Sequence, residues 1–236
     1  MKDSMRKIHN PRALLLDMDG LIIDSEPIAL ETLKRFASEK GFPLNQEIID
    51  LLIGSSYIDF FNFVCTKFSF LGSSRDTMSD YFIMLNPALE KEAIVLPGVL
   101  EFLMKYKEKY DLALVSGSLR SQIDLILNKF HFNNFFRVIV SAEDVKNGKP
   151  SPEPYVFAQR ILGVNREDCI VFEDSGLGVE SAKSAGMYCV GVRIGSGGNQ
   201  TLSKADLVIN SFQDFDLSIV LTHYRIWHDI VLKSNV

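Results

Sequence analysis

The sequence predicts an α/β protein: a doubly wound, Rossmann-like parallel sheet interrupted by an inserted all-helical segment. Three observations carry this. An apolar run, Leu14-Leu15-Leu16, ends in Asp17-Met18-Asp19-Gly20. Residues 27–93 keep helical rather than strand-like spacing. From Leu96-Pro97-Gly98 onward, short apolar runs alternate with helical stretches, the pattern of βαβ units covered on both faces.

The run at 14–16 is too short for a core helix and lacks polar alternation, so it reads as a buried parallel strand. Gly20 can adopt positive φ and turn the chain sharply just past the strand. Both carboxylates then lie at the C-terminal edge of the sheet, where open α/β folds bind their ligands. Two crowded anions need a cation or a shared proton to relieve them. That casts Asp17 as a nucleophile or metal ligand and Asp19 as a general acid/base.

The insertion follows at once. Ile28, Leu33, Phe36 and Ala37 keep helical spacing up to Gly41, a C-terminal stop. A second stripe runs Tyr57, Phe60, Phe61, Val64, Cys65 and Phe68. A third runs Met78, Tyr81, Phe82, Leu85 and Leu89, and Pro87 is expected to bend or end it. We read these aromatic stripes as the core of a helix bundle.

Beyond residue 96 the candidate strands are 112–116, 138–141, 169–173 and 188–192, with helical stretches near 99–110, 119–130, 152–162 and 178–185. Gly195-Ser196-Gly197-Gly198 reads as a loop, because it lacks the strand-to-helix context of a dinucleotide or phosphate loop. Val220, Tyr224, Trp227, His228 and Val231 share a helical face that packs on the core or, alternatively, on a second copy. The four histidines (His9, His131, His223 and His228) lie away from every motif and read as structural or surface residues.

At 236 residues the chain can bury a large core as one domain with an insertion, or as two. With 47% hydrophobic and 23% charged residues it has the composition of a globular protein. A net charge of −5 argues against a nucleic-acid partner, which needs a basic footprint. No apolar run approaches the roughly 20 residues that span a bilayer, so no membrane partner is expected. The first twelve residues are polar and carry no signal-peptide core. Cys65, Cys169 and Cys189 are odd in number and lack metal spacing, which suits buried free thiols in a reducing cytoplasm.

Four motifs in order resemble those of the haloacid dehalogenase-like phosphohydrolases. They are Asp17-x-Asp19-Gly20-x-x-x-Asp24-Ser25-Glu26, Val115-Ser116-Gly117-Ser118, Gly148-Lys149-Pro150-Ser151-Pro152-Glu153-Pro154 and Phe172-Glu173-Asp174-Ser175-Gly176-x-Gly178. Ala185-Gly186-Met187 continues the last, and the resemblance covers about residues 12–210. It implies a catalytic core at 1–26 and 94–236, a helical cap at 27–93, and a sheet with the Asp17 strand between those ending at Ser116 and Glu173.

The resemblance also implies roles. Asp17 attacks phosphorus and forms an aspartyl-phosphate, while Asp19 protonates the leaving alcohol and later activates water. Ser116, with the backbone N–H groups of Gly117 and Ser118, holds the phosphoryl oxygens, and Lys149 supplies positive charge. Mg²⁺ is the implied cofactor, bound by Asp17, the backbone carbonyl of Asp19 and Asp174, with Glu173 tuning or sharing the metal shell. Asp24 and Glu26 orient the hinge between core and cap, and Gly54 and Asp59 face the substrate from the cap.

The expected partner is therefore a small phosphorylated metabolite such as a sugar phosphate, phosphoglycolate or a nucleotide, acted on by a monomer or weak homodimer. A β-phosphoglucomutase-like sugar phosphomutase is the enzymatic alternative. That branch typically carries a histidine soon after the first motif and an arginine in the cap loop. Residues 26–30 hold no histidine and Ser55-Ser56-Tyr57 no arginine, so a phosphatase is favoured. A dehalogenase needs neither Asp19 nor the acidic pair. A phospho-acceptor signalling module would lack both Asp19 and the helical insertion.

Overall fold

A computed structural model describes residues 10–194, 201–213 and 216–234. The glycine-rich stretch at 195–198 and the N-terminal residues up to His9 lie outside the described residues. Among those described, six strands form one parallel sheet in the order β3-β2-β1-β4-β5-β6. They are β1 (Ala13–Leu16), β2 (Asp111–Val115), β3 (Val138–Val140), β4 (Cys169–Glu173), β5 (Tyr188–Val192) and β6 (Leu207–Ile209). β1 is central, with β2 and β4 on its two sides, so the strand order reverses there.

The unbroken apolar run of β1 is explained by burial on both faces. Leu14 and Leu16 join a cluster with Phe102, Ile126 and Tyr224, while Ala13 and Leu15 face Tyr155, Ala158 and Val179. The first group belongs to α5 (Val99–Tyr106), α6 (Arg120–Lys129) and α9 (Leu217–Ser234). The second belongs to α7 (Glu153–Leu162) and α8 (Gly176–Ser184). Each helical layer shields apolar side chains that would otherwise face water, at about 25 cal/mol per Å².

Between β1 and β2 the chain builds α1 (Glu26–Lys40), α2 (Gln46–Gly54), α3 (Tyr57–Lys67) and α4 (Ser74–Glu92). Gly41 closes α1 in the left-handed conformation at φ 76°, as its position predicts. Side chains at Asn45, Ser56 and Ser73 accept from backbone N–H groups and start α2, α3 and α4. Phe36, Phe61 and Tyr81 meet edge to face or tilted in the middle of this bundle. The two crossing segments pair with each other: Asp24 N–H donates to Ile94 O, and Leu96 N–H to Ile22 O.

Pro87 does not end its helix, which runs on to Glu92. The proline leaves the carbonyl of Ile83 without a helical donor, but Ile83 is 70% exposed, so water can serve it. On the last helix, Val220, Tyr224 and His228 are buried against the core as expected. The side chain of Val231 lies outside the described residues. His131 and His223 are exposed, and the three cysteines are buried and free. Among the described residues no helix is long and apolar enough to cross a membrane.

Candidate active site

Parallel register assembles the site. β1 pairs with β4 as Leu16↔Phe172 and with β2 as Leu16↔Leu114. One residue further on, Asp17 N–H donates to Phe172 O at 3.1 Å, so Asp17 lies beside Glu173 on one flank and Val115 on the other. Lys149, on the loop between β3 and α7, reaches into this corner. Its ammonium donates to Asp17 Oδ1, to Glu173 Oε1 at 2.5 Å and to Val115 O at 3.1 Å. Burial works to lower its pKa, but Asp17 and Glu173 outweigh that and hold it above the ordinary lysine value.

The carboxylates behave differently from one another. Burial pushes Asp17 well up, with Lys149 opposing and Glu173 and Asp19 adding to the rise. Burial also raises Asp174, helped by Asp17 and Glu173. Asp174 Oδ1 is buried without a hydrogen-bond partner. Asp17, Glu173 and Asp174 each bring an oxygen within 4.8 Å of the others. Hard oxygens crowded in this way, one of them orphaned, fit a small divalent cation.

Glu173 fits direct ligation less well than Asp17 and Asp174. Oε1 accepts from Lys149 and from Tyr155 Oη at 2.5 Å, while Oε2 accepts from Ser175 N at 3.3 Å and Ser175 Oγ at 3.0 Å. Gly178 makes room for it, since a Cβ there would lie 1.9 Å from the Glu173 carboxyl. Burial, then Glu173, push the Tyr155 phenol well up, so it stays an O–H donor.

Asp19 has a separate environment. Its carboxylate accepts from three hydroxyls: Ser25 at 2.7 Å, Ser116 at 3.0 Å and Ser118 at 2.9 Å. Two of these hydroxyls belong to the second motif. Within that motif Ser118 N–H donates to Ser116 Oγ at 3.0 Å. Gly117 and Ser118 line the same cavity of about 120 Å³ as Asp17, Asp19, Lys149 and Asp174.

Ala29, Leu52 and Tyr57 of the insertion line that cavity, with Glu26 just ahead of them. Tyr57, read from spacing as bundle core, both packs on Phe82 and lines the cavity. Glu26 is pushed up to about 7 by burial first and then by Asp19 and Asp24. Asp24 sits at the crossing, bonded through its N–H to Ile94. Asp59 accepts from Ser56 Oγ at 2.7 Å and lines a neighbouring cavity of about 310 Å³ with Lys146 and Asn147. Gly54 is the last residue of α2, and its surroundings lie outside the described residues.

Sequence reasoning gave no role to Tyr155, Ser175 or Ser25. Ser25 and Ser175 belong to quoted motifs, so a short-range signal existed. Tyr155 follows the Lys149 motif directly, on the buried side of α7. Neither α2 nor the short edge strand β6 was anticipated, and the residues of β6 are only partly buried.

Known proteins resemble the chain throughout this region. The model of the haloacid dehalogenase-like hydrolases matches residues 14–192. A phosphorylated carbohydrates phosphatase of Thermotoga maritima is 31% identical over 180 residues, 74% of this chain and 82% of that protein. A beta-phosphoglucomutase of Bacillus subtilis is 28% identical over 236 residues, 95% of this chain and 99% of the relative. The crystal structure of a beta-phosphoglucomutase from Clostridium difficile superposes with a TM-score of 0.76 at 26% identity, covering 92% of this chain and 98% of that one.

Proposed function

The chain belongs to the haloacid dehalogenase-like hydrolases, a phosphatase-type enzyme, and from that premise we propose a Mg²⁺-dependent phosphatase of a small phosphorylated metabolite. The observation that carries the reading is the divergence of two carboxylates within one turn. Asp17 meets Lys149 and the acidic cluster, whereas the Asp19 carboxylate accepts from three hydroxyls. Paired carboxylates in unlike surroundings are suited to unlike roles.

Asp17 attacks phosphorus, forming a carboxylate–phosphorus bond as the ester P–O bond breaks. Asp19 gives its proton to the departing alcohol oxygen. It then takes a proton from the water that cleaves the aspartyl-phosphate and restores Asp17. Lys149 holds Asp17 in place and offsets charge on the transferring group. Asp17, Asp174 and the carbonyl of Asp19 would hold Mg²⁺, which supplies the charge neutralisation that lets one anion attack another. The Ser116 hydroxyl and the N–H groups of Gly117 and Ser118 receive the phosphoryl oxygens.

Core residues 1–26 and 94–236 and a cap at 27–93 belong to the same reading, with the cavity between them excluding bulk water. We place the protein in a reducing cytoplasm on its three buried free thiols, as a monomer or weak homodimer.

Similarity to two phosphoglucomutases favours a second reading, a sugar phosphomutase. The cavity wall opposes it: Ala29, Ser55, Ser56 and Tyr57 present neither imidazole nor guanidinium. Phosphate release from a panel of sugar phosphates, phosphoglycolate and nucleotides, with Mg²⁺ and then with EDTA, tests the proposal. Turnover that survives complete metal removal would refute it.

A further inference from the structure

Lys149 has three N–H donors and three acceptors, namely Asp17 Oδ1, Val115 O and Glu173 Oε1. Val115 O belongs to the backbone, and the other two are side chains at neighbouring strand ends. Ser175 holds Glu173 through Oε2, and Tyr155 holds it through Oε1. Its O–H donates to Glu173 Oε1 at 2.5 Å, the oxygen that also receives Lys149. Tyr155 and Glu173 are both 0% exposed. The Lys149 ammonium also lies 5.2 Å from the centroid of the Tyr155 ring, within cation–π range.

A phenylalanine would fill the same volume against Ala158 and Leu162, so packing alone does not call for a phenol here. Nor does the proposed chemistry require one, since Tyr155 is absent from the walls of both cavities. We propose that Tyr155 is a positioning residue: its O–H locks Glu173, and Glu173 together with the ring face aims the Lys149 ammonium at Asp17. This rests on the phosphatase reading above. Without the phenol, Glu173 keeps only Ser175 on its other oxygen, and Lys149 loses a fixed acceptor. A misaimed Lys149 weakens the transition state more than substrate capture, so the effect falls on kcat.

The test is a pair of variants, Tyr155→Phe and Glu173→Gln, and their combination, assayed with p-nitrophenyl phosphate and Mg²⁺. Tyr155→Phe should lose kcat by on the order of tenfold while KM stays within about twofold. Adding it to Glu173→Gln should cost little more, because both cut one chain of contacts. Wild-type kcat in Tyr155→Phe would overturn the proposal, as would a fully multiplicative loss in the combination. Failure of Tyr155→Phe to fold would make the hydroxyl structural and overturn it too.

Absence of phosphate release from the wild type would count against the phosphatase reading alone. The unfolding midpoints of Tyr155→Phe, Lys149→Met and their combination would then decide the contact chain. Non-additive midpoints support it, and strictly additive ones overturn it.

Discussion

Gly20 and Asp174 are in direct apposition: a Cβ built on Gly20 would lie 2.1 Å from Asp174 Oδ2. Gly20 also holds φ 78°, where any side chain is strained. The turn that carries Asp17 and Asp19 is thus also the seat of the distant acidic residue. Gly20→Ala should cost about 1–2 kcal/mol through backbone strain alone. It should also displace the Asp174 carboxylate and raise the Mg²⁺ concentration for half-maximal activity by on the order of tenfold. Titrating activity with Mg²⁺ measures this, and an unchanged requirement would count against Asp174 as a ligand.

Asp19→Asn separates chemistry from architecture. Its backbone carbonyl stays in place, and the hydroxyls of Ser25, Ser116 and Ser118 can turn to suit an amide. The variant should bind Mg²⁺ normally yet lose roughly 10²- to 10⁴-fold in kcat, in both formation and hydrolysis of the intermediate. Single-turnover kinetics would expose the two steps separately.

Glu26 gives the metal-free protein a pH signature. Its pKa is raised from 4.5 to about 7 on folding, so the native state holds the proton more tightly than the unfolded chain. Its contribution is fully present below pH 4.5 and is lost as pH rises through about 7. Glu26→Gln should therefore raise the melting temperature more at about pH 8 than at about pH 5. Equal shifts at both pH values would show that Glu26 ionises normally in the folded protein.

Offered β-glucose 1-phosphate with a trace of the 1,6-bisphosphate, the enzyme should release phosphate slowly or not at all and form no glucose 6-phosphate. Ala29 and the Ser55–Ser56 link offer a second sugar hydroxyl no imidazole or guanidinium to hold it against water. Isomerisation at ordinary enzymatic rates would transfer the protein to the mutase reading while leaving the core chemistry intact.

Much of this was legible in the chain itself. Leu14-Leu15-Leu16 announces a strand buried on both faces, and the turn after it fixes where Asp17 and Asp19 go. Glu173 and Asp174 arrive beside them because parallel register leaves little choice. Other contacts were not legible. That Ser118 N–H meets Ser116 Oγ depends on side-chain competition among hydroxyls, which leaves no periodic trace. Tyr155 carried no signal of its own, since burial of its ring and use of its hydroxyl read alike in sequence. Pro87 was misleading because its cost depends on whether water reaches Ile83, a property of the tertiary fold.

The covalent intermediate on Asp17 is the centre of the account. Enzyme quenched in acid during turnover of p-nitrophenyl phosphate with Mg²⁺, then digested and weighed by mass spectrometry, reports it directly. The account predicts a phosphoryl group on the peptide bearing Asp17, absent from Asp17→Asn, which should also lose turnover. A phosphoryl group on another residue, or full turnover by Asp17→Asn, would contradict it.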